Sequence, residues 1–433
     1  MEIYLFALAY VIFVICLSIY YSKKSTDEDY LLAGRNRSGF AIMASKFAGA
    51  IGVSTFITYT GYAYRFGWGV FIMLIGSVIG YNLFAYWASP IIKRLSIQGK
   101  FYTQGDLPAH VTGDKTTGYF ANIVTIVIQF FWVLLSLVGG AKIIAYFGLM
   151  SYPMAVLTTC FIITTYVLLA GFKAVIITDI FQSFIILFFL VAIVYNLVHG
   201  ENLTTVLTHQ SEPVSLGSVI GLALYGSLSV FGLADRYLLC YAARNERSLK
   251  LGMSLAVIPI IIIAFLLMIV GLTVLTHKSG MDPDTVFVYA MQNQLSQSLI
   301  PVLLVMFFAG LMSSADTAIF AVASHVVAGS KIINKVKAVR IATLAVVLLA
   351  STISFFWESV VNITIVGAAL RMTLAIPMIY VILQNRNSGR FKGSVIGGII
   401  GLILGIIAFG TDPKLAITVL VGSLLGLFYK SKN

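Results

Sequence analysis

Charge is what this sequence has least of. Asp, Glu, Lys and Arg supply 10% of 433 residues, where a soluble chain uses roughly 25% to keep its surface wet. A large water-facing domain is therefore excluded. Cysteine is nearly absent. Cys16, Cys160 and Cys240 fall in or at the end of apolar runs, with neither metal-ligand spacing nor a disulfide framework. No HExxH, GxxxxGK[ST] or GxSxG occurs, so metal-dependent hydrolysis, ATP-driven pumping and serine-hydrolase chemistry have no basis here. No catalytic constellation stands behind an enzyme reading. Long polar connectors are missing too: the longest, about residues 94–117 and 198–215, are too short for a separate soluble domain.

What the chain has instead is hydrocarbon. It is 59% hydrophobic with a mean hydropathy of +0.98, the composition of an all-α integral membrane protein. Hydropathy and turn signals predict thirteen spans: about 3–21, 39–65, 70–93, 118–145, 151–171, 174–197, 216–236, 251–275, 297–328, 338–356, 360–383, 393–409 and 415–429. The basic pair Lys23 and Lys24 follows the first apolar run, so that run reads as a retained span starting outside and not as a signal peptide. The net charge of +12 then has a topological reading and not a nucleic-acid one. Most of the 28 basic residues fall in loops that this arrangement puts inside, which is the positive-inside bias. The expectation is a multi-pass protein of the cell membrane (plasma or inner), N-terminus outside and C-terminus cytoplasmic, surrounded by lipid. A monomer is compatible with it. The Asn202-Leu203-Thr204 sequon falls in an outer loop.

Two of the spans combine glycine with hydroxyls. In AIMASKFAGAIGVSTFITYTGYAYRFG, Gly49 and Gly52 precede Ser54, Thr55, Thr58 and Thr60. In LGSVIGLALYGSLSVFGLADRY, Gly221, Gly226 and Gly232 surround Ser227 and Ser229. The two lie five spans apart, as the discontinuous helices of an inverted-repeat transporter do; glycine is also an ordinary packing residue in membrane helices. The repeat reading divides the chain into an extra N-terminal helix and inner loop (1–38), a first five-helix repeat (39–198), an outer loop (199–215), a second five-helix repeat (216–384) and two C-terminal helices (385–433).

Polar groups inside the other spans point the same way. GLMSSAD places Ser313, Asp316 and Thr317 at i, i+3 and i+4 on one face, with Ser314 one step round. One serine can satisfy itself on a carbonyl a turn back. Two adjacent hydroxyls with a carboxylate instead resemble a cage for a hard cation, since an intramembrane acid is costly unless paired, protonated or bound to a cation. Asp179, in VIITDIFQ, has Gln182 at i+3 and reads either as part of an ion route or as the cap of a local network. Asp235 beside Arg236 reads as a structural pair at an inner helix end, Lys46 as a snorkelling lysine, and Arg371 as a guanidinium that needs a partner or an anionic ligand. His325 is the one histidine in a span and is given no role.

Four stretches carry a family resemblance: DEDYLLAGRNRSGF, GFKAVIITDIFQSFIIL, RYLLCYAARNERSLKLG and AGLMSSADTAIF. They resemble the DYxLAGR, G(G)xxAVxxTDxxQ, RYxxAxxxxxAxxG and AxxMSSxDS segments of the sodium/solute symporter family, the sodium-coupled proline, sugar, sialate, pantothenate and iodide transporters, in family order over roughly residues 5–380. The resemblance implies a leucine-transporter-like core of five plus five helices, Na+ as coupling ion, and symport of a small polar or anionic solute by alternating access. It implies a sodium site of the Ala48, Ile51 and Gly310 carbonyls with the Ser313 and Ser314 hydroxyls, Asp179 on the ion path, and Asp316 and Thr317 at a second sodium level. The implied solute-lining residues are Ser54, Thr55, Thr58, Tyr59, Tyr225 and Ser227, to which the residue reading adds Arg371. A proton-coupled carrier using Asp179 or Asp316, a channel, and a transport-inactive membrane sensor are the alternatives.

Overall fold

In the computed structural model, residues 2–22, 32–169, 172–199, 206, 214–294, 300–327 and 335–429 are described; the Asn202 sequon lies outside them. The protein is an all-α, multi-span integral membrane fold. Its helices are α1 (Glu2–Ser22), α2 (Gly39–Ala50), α3 (Val53–Phe66), α4 (Phe71–Leu83), α5 (Ser89–Gly99), α6 (Asp106–Thr112), α7 (Lys115–Tyr146), α8 (Tyr152–Leu169), α9 (Phe172–His199), α10 (Leu216–Leu228), α11 (Ala234–Ala242), α12 (Glu246–His277), α13 (Val286–Gln294), α14 (Ile300–Val327), α15 (Lys335–Ser354), α16 (Val360–Ile382), α17 (Ser388–Phe409) and α18 (Leu415–Gly426). Among the described residues, seven helical segments are long and apolar enough to cross a membrane, and the bent pair α10–α11 makes an eighth. Shorter apolar helices, in α8, α9 and α18, lie in further predicted ranges.

Local chemistry sets the ends. Ser38, Asp114, Asn245, Ser359 and Asn387 each accept a backbone N–H at the start of α2, α7, α12, α16 and α17, satisfying donors that a helix start leaves free. Large apolar side chains such as Phe161, Phe188, Ile403 and Ile407 point outward, as a surface in contact with lipid requires. Inside, α9 and α14 pack with α2, α12 packs on α2 and α3, α10 on α4, and α16 against α7 and the break after α10. The two broken helices, α2–α3 and α10–α11, thereby face a common interior.

The helix ends are tied across the bundle. At one, Arg37 N–H donates to Ala242 O and Arg244 N–H to Arg37 O, both at 2.9 Å. There His325 accepts the Gln104 N–H at 3.0 Å while its Nδ1 meets Ala321 O, so a histidine with no expected role latches the segment before α6 to α14. At the other end Asp284 joins three elements, accepting from Lys142 of α7 and from the Val360 and Val361 N–H groups that open α16.

Candidate functional site: a cavity between two broken helices

The first break falls at Ile51–Gly52. The Ile51 N–H still reaches back to Phe47 O and Ala48 O. The Gly52 N–H is instead taken by Thr55 Oγ1 at 3.1 Å, and the Thr55 hydroxyl donates to Ala50 O at 3.1 Å. Thr55 therefore holds both sides of the gap. Glycine is required at 52 because α14 crosses there: a Cβ would lie 2.0 Å from Ser314 Oγ and 3.4 Å from Gly310 O. A Cβ on Gly310 would in turn sit 3.4 Å from Ile51 O. The Ile51 carbonyl, the Gly310 carbonyl and the Ser314 hydroxyl thus all lie at the crossing of the break with α14, with Ala48 a turn behind. Gly49 faces Thr317, whose Oγ1 would be 3.5 Å from a Cβ.

Behind that crossing lies a buried acid. Asp179 of α9 accepts the Ser45 hydroxyl of α2 at 2.6 Å and the Ser313 hydroxyl of α14 at 2.7 Å. One carboxylate joins three helices. The adjacent serines split the work: Ser313 turns to Asp179, and Ser314 turns to the break and the cavity. Because the Ser313 hydroxyl donates its hydrogen bond to Asp179, its lone pairs remain available to another partner. Asp316 is fully buried and accepts the Thr317 hydroxyl at 3.3 Å. Gln182 donates to Tyr10 of α1 at 3.0 Å.

In front of the break is a cavity of about 150 Å³. Ser54, Thr55, Thr58 and Tyr59 line it from α3, Gln129 and Trp132 from α7, Tyr225 and Ser229 from the second broken helix, and Thr364 and Arg371 from α16. Thr58 and Thr364 hydroxyls lie 3.0 Å apart; Thr364 already donates to Val360 O, so Thr58 is the donor. The Arg371 guanidinium stacks 4.4 Å over the Trp132 ring.

Three expectations need correction. Ser227 does not line the cavity. Its hydroxyl bonds to Ala223 O, and its backbone lies against Gly76 and Gly80 of α4; Ser229 takes the cavity position. Lys46 does not snorkel: it is 1% exposed, with Nζ 4.0 Å from Asp235 and 5.1 Å from the Tyr81 ring centre. Asp235 and Arg236 do pair, but as part of the cavity wall, with Arg236 also donating to the Tyr81 hydroxyl at 2.7 Å. The site also holds residues not foreseen. Ser45 lies one turn before Ala48 on the face that leads to Gly49 and Gly52, and Trp132 follows Gln129 at helical spacing in an apolar run. Those spacings were the available signals.

The sequence profile of the sodium:solute symporter family matches residues 30–401. The chain belongs to that family. Among curated proteins it is similar to the sodium/pantothenate symporters of Haemophilus influenzae, at 23% identity over 59% of this chain and 56% of that one, and of Escherichia coli, at 22% over 61% and 59%. The chain thus spans less than two thirds of the length of these relatives. Among solved structures it is similar to a Na+-coupled sialic acid symporter in its substrate-bound outward-open state, with a TM-score of 0.78 at 15% identity over 99% of this chain and 98% of that one. That likeness is one of fold.

Proposed function

We propose that the protein is a secondary active transporter that couples inward Na+ movement to symport of a small organic solute by alternating access. The observation that carries this is the crossing of the break by α14, which puts Ile51 O, Gly310 O and the Ser314 hydroxyl at one contact, with Ser313 hydrogen-bonded to Asp179 behind it. A desolvated Na+ needs several hard oxygens at once, and a broken helix supplies carbonyls that an intact one keeps for itself. The ion would join α2 to α14 through Ala48, Ile51, Gly310, Ser313 and Ser314, with Asp179 supplying charge and the Asp316–Thr317 level open to a second ion. Filling the site ties the break to α14 and favours the state that admits solute from the Pro283 end; rocking then opens the His325 end.

The same reading takes the fold as five plus five helices, from α2–α3 to α9 and from α10–α11 to α16, within thirteen spans. Helices broken at corresponding places support it. It sets the N-terminus outside and the C-terminus in the cytoplasm, as the basic loops suggest. A potential of 100 mV then contributes about 2.3 kcal/mol per charge carried inward.

The test is thermal unfolding of the detergent-purified protein in NaCl against KCl, with Ser313→Ala beside it. A ligand that binds only the folded state raises Tm. The expected result is a sodium-specific rise whose half-saturating concentration increases about tenfold in the variant, one lost hydrogen-bonding group at a charged site. A variant as sodium-sensitive as the parent sinks the assignment. Asp179 has two hydroxyl partners and, among the described residues, no ion pair, the setting of a proton site. Uptake driven by pH and blind to sodium would favour proton coupling there.

A further inference from the structure

Six charged side chains of the described residues lie in the cavity wall or directly behind it. The acids are Asp179, Asp235 and Asp316; the bases are Lys46, Arg236 and Arg371. With all six ionised they sum to zero, and they are not evenly mixed. Asp179 and Asp316 belong to the first break, where serine and threonine hydroxyls point at them. The bases come from three helices: Arg236 follows the second break, Arg371 stands on α16, whose backbone packs against that break, with a Cβ on Gly232 falling 2.0 Å from Arg371 O, and Lys46 reaches Asp235 from α2. Lys46 and Arg236 share one acid, Asp235.

Hydrogen bonding divides the same way. At the first break the Asp179 carboxylate is satisfied on both oxygens. Among the described residues that line the rest of the cavity, Arg371 Nε, Arg236 Nε, Gln129 Nε2 and the Tyr62 and Tyr225 hydroxyls find no hydrogen-bond partner, against a single orphaned acceptor, Asp235 Oδ1. Buried polar groups are ordinarily paired, and a cluster of exceptions calls for an explanation. A surplus of buried donors, two of them on guanidinium groups, is matched by an acceptor of negative charge. Arg371 has no acidic partner among the described residues, and Trp132 holds its planar fork against one face. A guanidinium fixed in this way fits a carboxylate with two parallel hydrogen bonds.

We infer that the solute is an organic anion whose carboxylate docks on Arg371, and that this charge completes the balance the cation upsets. This rests on the sodium reading above. One Na+ at the first break raises the buried sum to +1, in surroundings where an unpaired charge is costly; one carboxylate on Arg371 returns it to zero. Each ligand makes the other's binding easier although they need not touch. Thr58, Tyr59 and Ser229 are left to hold the polar remainder of the solute.

The test uses the purified protein and paired probes: short monocarboxylates, plain and hydroxylated, against the primary amides of the same acids, each in NaCl and in KCl. Carboxylates are expected to raise Tm, more in NaCl than in KCl, and the amides are not. Arg371→Gln is expected to weaken the carboxylate response by at least about tenfold while lowering the half-saturating sodium concentration, because one positive charge fewer opposes the ion. A merely structural arginine would not produce that opposite pair of shifts. Arg371→Lys keeps the charge without the fork, so it retains the parent's sodium response with a weakened carboxylate one, and it serves if the glutamine variant misfolds. Amides that stabilise as well as acids overturn the inference, as does an Arg371→Gln protein that keeps its carboxylate response, or a sodium-responsive protein that no carboxylate stabilises. Acid-over-amide discrimination without any sodium effect would sink the sodium reading and leave the carboxylate site standing.

Discussion

The two broken helices meet the same cavity and are built in opposite ways. The α2–α3 break is finished: Thr55 bridges the gap, Ser45 and Ser313 complete Asp179, and α14 crosses with no room for a methyl group at Gly52. The α10–α11 side is unfinished: among the described residues Arg371 Nε, Arg236 Nε and the Tyr225 hydroxyl find no hydrogen-bond partner, and two guanidinium groups stand in its wall. The difference teaches which part of the site is preorganised. A small hard ion needs its oxygens in place beforehand, because misplacing one wastes much of the benefit of the rest. A larger organic solute brings its own acceptors and completes the wall itself.

That contrast can be broken at its rigid end first. Gly52→Ala drives a Cβ into Ser314, so either α14 or the break must move, at the roughly 1–3 kcal/mol typical of overpacking. The expected outcome is loss of the sodium-dependent Tm shift together with a lower Tm in both salts, read by unfolding scans on monodisperse protein. A variant that keeps its sodium shift shows the break to be softer than its packing suggests. A smaller effect comes from Asp179→Asn, which keeps the shape and removes the charge. Hydrogen bonds to ionised groups are stronger than neutral ones by about 1–2 kcal/mol, so the half-saturating sodium concentration should rise on the order of tenfold or somewhat more in a sodium titration. An unaltered titration would make Asp179 a structural tie between α2, α9 and α14. The mildest change sharpens the comparison from the soft side. Thr58→Val removes one hydroxyl and leaves Thr364 bonded to Val360 O. It should weaken solute binding by about 1 kcal/mol and leave the sodium titration where it was; a shift in sodium affinity instead would mean the two ends are not separable.

Much of the rigid end was legible in the sequence. Gly49 and Gly52 ahead of a run of hydroxyls, and Ser313-Ser314 beside Asp316, are patterns that a simple spanning helix does not need. Ser45 was not legible. A lone serine in an apolar helix usually bonds its own turn, and nothing local says that its partner stands 134 residues away on α9. Lys46 was misread for a similar reason: how deep a lysine sits depends on where α11 and Tyr81 arrive, which is tertiary information. The choice between Ser227 and Ser229 turned on helix phase. Two residues apart on an α-helix point about 200° apart, so only one can face the cavity, and the turn from α to 3₁₀ geometry at Ser229–Gly232 sets which. Which spans are broken could be read; how each break is oriented could not.

The last two helices touch along their backbones. Gly393, Gly397 and Gly401 of α17 lie against Gly426, Gly422 and Thr418 of α18, so close that added methyl groups would land 2.1–2.4 Å from carbonyl oxygens across the seam. Ser394 donates across the same seam to Ser423 O at 2.8 Å. Either helix alone would offer the acyl chains a bare furrow that nothing in the lipid fills well. The hairpin therefore covers its own furrow: each helix is the other's lipid-side lining, and a side chain larger than hydrogen at any of these glycines would pry the pair apart.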